Sequence, residues 1–263
     1  MDQSYLKWSA DSKKGSVRRT NQDTYFAAEQ MVGTVRCAVF CVADGMGGTE
    51  QGELASTLAM QVLEEWFYGE LQDLLETEID IAFMRCRLHE LLKNMNAKII
   101  KICEQRGISA GTTASLLLLT PYHYFFAHCG DSRIYISDRS GVYQLTEDHT
   151  ARNLMEKLGG FGGGEFPKES VLSSCIGITD NPEIQTGAGI LDRKNYFVLV
   201  TDGVYRFASI KDCVISPFYN GRAEELTRIA LQNGGNDNAT AITIETGWKQ
   251  RILGARLAAR WRW

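Results

Sequence analysis

Apolar residues along the chain fall into two kinds of pattern. Short runs rich in β-branched and aromatic residues, bounded by turn residues, occupy 24–28, 36–43, 113–120, 122–128, 133–137, 196–201 and 240–246, and predict strands. Leu58, Val62, Leu63, Phe67, Leu71 and Leu74 instead recur at helical spacing, and Leu88, Leu91, Leu92, Met95, Ile99 and Ile102 repeat the pattern. A third helix is predicted over 223–232, stopped by Asn233-Gly234-Gly235. Strands cluster before and after the helical pair without regular βαβ alternation, so the expected class is α+β, with antiparallel sheets covered by helices. The stretch 148–177 has weak periodicity and contains LGGFGGG, which predicts an excursion from the sheet core and a candidate lid.

Composition narrows the classes of function. The 263 residues carry no repeat and only four prolines, and are read as one compact unit. Lys and Arg number 28 against 32 Asp and Glu, a net charge of −4, without the basic field that a general nucleic-acid binder requires. Hydrophobic residues make up 44% and charged residues 23%, too apolar for a disordered chain and too mixed for a membrane bundle. No apolar run reaches the ~18–20 residues of a membrane-spanning helix, and the opening MDQSYLKWSADSKKG lacks the apolar core of a signal peptide, so a cytoplasmic protein is expected. The seven cysteines have no metal-ligand spacing and read as reduced core thiols.

The chemistry-bearing residues are aspartates at strand ends. The apolar run VRCAVFCVA ends in Asp44-Gly45, and YFVLVT ends in Asp202-Gly203. A strand can hold such a carboxylate rigidly while the glycine admits a ligand to the backbone carbonyl, which suits a hard divalent cation. Asp23, Asp131 and Asp237 lie at further strand edges or turns. Each alone is an ordinary cap or turn residue; together they suggest an oxygen-rich pocket for Mg or Mn, there being no matching His/Cys set.

In family order, GSVRRTNQD (15–23), VADGMGG (42–48) followed by GELAS (52–56), GTTAS (111–115), CGDSRIY (129–135), TEDHT (146–150), VTDGVY (200–205) and GGNDNAT (234–240) run through the chain. This series resembles the bacterial-type, metal-dependent serine/threonine protein phosphatases of type 2C over residues 14–245. The resemblance implies an α-β-β-α sandwich of two antiparallel sheets flanked by helices, a phosphatase domain over 1–246, and a flap at about 148–185. It also implies that Asp44 bridges two Mn or Mg ions, that the Gly45 carbonyl binds one of them, and that Asp202 and Asp237 hold the other. Asp131 would support a third, weaker metal. Gln22 and Asp23 would act behind the ligands or through water, and Arg18 would be the phosphate-binding arginine, a catalytic residue alongside Asp44. The implied reaction is hydrolysis of phosphoserine and phosphothreonine in proteins by a metal-bridging hydroxide, opposing a Ser/Thr kinase.

Some residues depart from that pattern. Met46 stands where animal relatives have a histidine able to protonate the leaving oxygen, and Gln22 stands where some relatives have glutamate. His128 and His149 are the nearest substitutes in sequence, and both are expected to be packed or capping residues rather than proton donors. Two rival functions follow: a non-catalytic pseudophosphatase that binds phosphoproteins, and a hydrolase of small phosphate esters. The tail 247–263 contains Lys249, Arg251, Arg256, Arg260 and Arg262 and no acid, with Leu253, Leu257 and Trp261 four apart, as in an amphipathic helix for a membrane surface or partner groove. The expected partners are phosphorylated proteins and a cognate kinase, with no nucleic acid, and the expected state is a monomer.

Overall fold

The computed structural model describes residues 5–247 apart from 34, 77–79, 139, 160–166, 169–170, 193 and 216–219. Most of the glycine-rich stretch and nearly all of the basic tail therefore lie outside the described residues. One sheet runs in the order β1 (Tyr5–Lys13), β11 (Ala239–Gly247), β10 (Asn195–Val200), β7 (Arg133–Asp138), β8 (Gly141–Gln144). The other runs β2 (Asp23–Val32), β3 (Val35–Met46), β5 (Ala114–Leu119), β6 (His123–Cys129), β9 (Gln185–Ile190), with the two-residue β4 (Gly111–Thr112) pairing the end of β3. The paired strands are antiparallel. Helices α1 (Gly48–Tyr68), α2 (Glu70–Glu76) and α3 (Ile81–Arg106) cover the second sheet, and α5 (Asp202–Tyr205), α6 (Ile210–Ile215) and α7 (Ala223–Gln232) cover the first. The short α4 (Ala151–Lys157) follows β8. The result is the α-β-β-α sandwich that the resemblance implies.

Strand β3 explains why its sequence is apolar without interruption. Successive side chains point to opposite faces: Val39 and Cys41 pack with Leu63, Phe67, Met95 and Ile99 under the helices, while Phe40 and Val42 pack with Phe197, Leu199, Ile242 and Ile244 between the sheets. A third apolar layer joins Val198, Val200 and Ala241 to Val204, Leu226 and Ala230 beneath α7. Cys37, Cys41, Cys103, Cys129 and Cys175 are buried free thiols, and burial pushes Cys37 and Cys41 up to about 12. Cys86 is exposed. Among the described residues, no helix is long and apolar enough to cross a membrane.

The first predicted helix is divided. Gly69 separates α1 from α2, and the carbonyl of Glu65 receives its N–H at 3.0 Å where the first helix stops. Leu71 and Leu75 are nevertheless buried in the same core, so the apolar stripe continues across the break. α7 coincides with the third predicted helix.

His128 and His149 are packed, as expected. The Nε2–H of His128 donates to the Glu147 carbonyl at 3.0 Å, and its Nδ1 lies 2.8 Å from the Ser115 hydroxyl. The His149 ring lies 4.9 Å from that of His128, and its Nδ1 accepts the Gly130 N–H at 3.2 Å. Burial, followed by the neighbouring His149, lowers His128 from 6.5 to about 3. The unfolded chain thus takes up a proton that the native site refuses, and the stability His128 contributes is lost as pH falls from 6.5 towards 3. Measured against a His128→Asn variant, the wild-type unfolding free energy should decline by about 1.4 kcal/mol per pH unit below pH 6.5. A pH-independent difference between the two would contradict this assignment.

Candidate functional site

Strand register brings the aspartates to one end of the sandwich. Asp23 stands opposite Asp44 in the β2–β3 pair. In the other sheet Val200 pairs with both Ala241 and Arg133, so Asp202, Asp237 and Asp131, each a few residues beyond a strand end, emerge together. Asp44, Asp131, Asp202 and Asp237 line one cleft of about 830 Å³ with Arg18, Gln22, Gly45, Met46, Arg206 and Asn238. Asp23 lies beneath this cleft. Its Oδ2 accepts the hydroxyls of Thr201 at 2.9 Å and Thr240 at 2.7 Å, which ties the second sheet to the first, while its buried Oδ1 has no donor among the described residues.

The backbone around these side chains is clamped. The Asp44 N–H donates to the Thr113 hydroxyl at 2.9 Å, and the Asp44 carbonyl accepts the Thr113 N–H at 2.9 Å and the Thr112 hydroxyl at 3.0 Å. The side chain of Asn238 accepts the Gln22 N–H at 2.9 Å and donates to the Lys14 and Thr20 carbonyls at 2.7 and 3.0 Å, joining the segment before β2 to the loop before β11. Both Asp-Gly pairs use the small size of glycine for close approach. A Cβ on Gly45 would come within 2.2 Å of the Gly52 carbonyl oxygen, and one on Gly203 within 1.9 Å of the Asn238 carbonyl oxygen.

Burial raises Asp44 well above the ordinary carboxylate range, and the negative charges of Asp23, Asp202, Asp131 and Asp237 raise it further. Asp131 and Asp23 are each pushed up to about 7, first by burial and also by Asp202. Asp202 is raised by burial against the opposing effect of Arg206. Two arginines offset part of this field. Arg18 holds Asp237 through both carboxylate oxygens at 2.6 Å, and Arg206 reaches Asp202 at 3.1 Å and Asp131 at 3.5 Å. Among the described residues no three His, Cys, Asp or Glu side chains form a ready coordination group, and the two guanidinium groups engage three of the four lining aspartates.

The donors are oxygens throughout, and the Oδ1 atoms of Asp23 and Asp202 are buried without hydrogen-bond partners among the described residues. That set fits a hard divalent cation of the Mg or Mn type. The expected residues Arg18, Gln22, Asp44, Gly45, Asp131, Asp202 and Asp237 are brought together, and Asp23 is placed behind them. No histidine lines the cleft among the described residues. Sequence reasoning missed Arg206 and the joining roles of Asn238, Thr201 and Thr240. Arg206 had one available signal, its position four residues after Asp202, which on a helical turn puts a cation beside the carboxylate.

The family profile described as Protein phosphatase 2C matches residues 9–158, and the chain belongs to that family. The protein phosphatase PhpP of Streptococcus pneumoniae is 30% identical over 237 residues, covering 86% of this chain and 92% of that protein. A serine/threonine phosphatase of S. agalactiae is 25% identical with a TM-score of 0.73, over 91% of this chain and 99% of that one. The catalytic domain of the phosphatase PstP, solved in complex with 2 manganese ions, has the same fold at 24% identity and a TM-score of 0.72, over 92% and 98% of the two chains.

The close approach at Gly203 gives a direct test of the site's architecture. Gly203→Ala should lower the unfolding free energy by about 1–3 kcal/mol in denaturant titration, because its methyl group forces apart α5 and the loop before β11. A variant as stable as wild type would contradict the placement of the two segments.

Proposed function

We propose that the protein is a metal-dependent phosphatase that hydrolyses phosphoserine and phosphothreonine monoesters in proteins and opposes a Ser/Thr kinase. The observation that carries this reading is the convergence of Asp44, Asp131, Asp202 and Asp237 on one cleft with Arg18, in a chain of the 2C family. Asp44, the Gly45 carbonyl, Asp202 and Asp237 would hold two Mn or Mg ions, in keeping with the manganese pair of PstP. Two such ions, when bound, supply an acidified water as nucleophile and offset charge on the phosphoryl oxygens.

The chain's own groups set the geometry. The clamped backbone of Asp44 restricts movement there to the carboxylate, and Asp23, Thr201 and Thr240 fix the two sheets relative to each other beneath it. Arg18 has 53% of its side chain exposed, so its fork can pass from Asp237 to two oxygens of an entering phosphoryl group. No histidine lines the cleft among the described residues, and water in the open cleft could supply the proton to the leaving serine or threonine oxygen. Val17, Met46, Leu172 and Ile178 give the cleft apolar lining for side chains that flank the phosphorylated residue. This lining favours a protein substrate over a small phosphate ester.

Phosphate release from a phosphothreonine peptide tests the reading. Release should require Mn, stop with chelator, and fall by about two orders of magnitude or more in Asp44→Asn and Asp202→Asn variants that keep the wild-type fold. Unchanged rates in those variants would refute the site. Absence of release with metal bound would leave a phosphoprotein-binding module, and faster turnover of a nucleotide than of the peptide would favour a small-ester hydrolase. Arg18→Ala should raise KM and lower kcat together, since its contact strengthens as charge builds in the transition state. An unaltered kcat/KM would reduce Arg18 to a surface charge.

A further inference from the structure

Arg206 lies one residue beyond α5 and four after Asp202, and its N–H donates to the Asp202 carbonyl at 3.1 Å. This turn brings the guanidinium back over the cleft, where Nη2 stands 3.1 Å from Asp202 Oδ2 and 3.5 Å from Asp131 Oδ2. The neighbouring Tyr205 hydroxyl approaches the same Asp131 oxygen at 3.5 Å. The Tyr205 ring is held in turn by the Arg133 guanidinium, 3.6 Å from its centroid, and Arg133 is locked to Asp148 at 2.6 Å. The carboxylates that Arg206 joins are buried, with side-chain exposures of 14% for Asp202 and 6% for Asp131. The two oxygens of Asp202 are divided: Oδ2 faces Arg206, and Oδ1 is buried with no donor among the described residues.

A metal ion at Asp131 would have to share that carboxylate with the guanidinium and sit beside a fixed positive charge. We propose that Arg206 is a built-in cation that positions Asp131 and Asp202 and takes the place of a third metal ion, so that the centre holds two ions. Asp131 is then a partner of Arg206 rather than a metal ligand, which differs from the third-metal role that the family resemblance implies. Arg206 acts through Asp202, leaving Oδ1 free for one of the two ions, and the inference rests on the two-cation reading above.

Manganese bound per chain, measured by equilibrium dialysis at saturating Mn, tests it without reference to activity. Wild type should bind two ions, Arg206→Gln three, and Arg206→Lys, which keeps the charge, two. The added ion should disappear when Asp131→Asn is combined with Arg206→Gln. Asp131→Asn alone should leave the count at two, and it decides the question if Arg206→Gln does not fold: loss of an ion there would overturn the inference. A wild-type count of three would also overturn it, as would a folded Arg206→Gln chain that still binds two. Fewer than two ions in wild type would instead refute the two-cation reading itself, and this inference with it.

Discussion

Four carboxylates that face one cleft, with a fifth buried beneath them, repel one another, and burial removes the water that would screen that repulsion. The raised positions of Asp44, Asp131 and Asp23 express both effects. Such a cluster persists only where the surrounding structure over-determines it. Three apolar layers, one between the sheets and one under the helices on each side, provide that support. The arginines at Asp237, Asp202 and Asp131 neutralise part of the charge from the cleft side.

The sheets and the site depend on each other through a few polar contacts. Asp23 belongs to one sheet and accepts hydroxyls from residues at the strand ends of the other. Asn238 binds the segment before β2 to the loop before β11. Asp202 and Asp44, which come from different sheets, therefore meet across a join that the interior itself holds in register. The glycines beside them let the backbones approach closely enough for the carboxylates to share a space. A hard cation entering that space gains from every unscreened charge around it, which links the architecture to metal-dependent phosphoryl chemistry.

Much of the fold was legible where burial was two-sided. β3, β5 and β10 are long apolar runs because helices cover one face and a sheet the other. β1 was missed because only Leu6 and Ala10 pack toward the core between polar residues, while Trp8 on the same face stays exposed at the edge of Phe40. β9 was missed because its QTGAGI sequence is built from small residues, with Gly187 and Gly189 lying against the rings of Phe126 and Tyr124. The Asp-Gly motifs announced their chemistry at strand ends, but spacing could not place Asp44 beside Asp202, since that contact is made by the packing of one sheet on the other. The contact of Arg206 with Asp131 was illegible for a related reason, since the two are 75 residues apart in sequence, whereas its place four residues after Asp202 was open to reading.

This carboxylate cluster is assembled for cations, and the thermal unfolding midpoint as a function of Mn concentration near neutral pH shows whether it is. A ligand that binds the folded chain and not the unfolded one raises stability with concentration. The midpoint should rise steadily with Mn and return to its starting value on addition of chelator. A midpoint indifferent to Mn would contradict it.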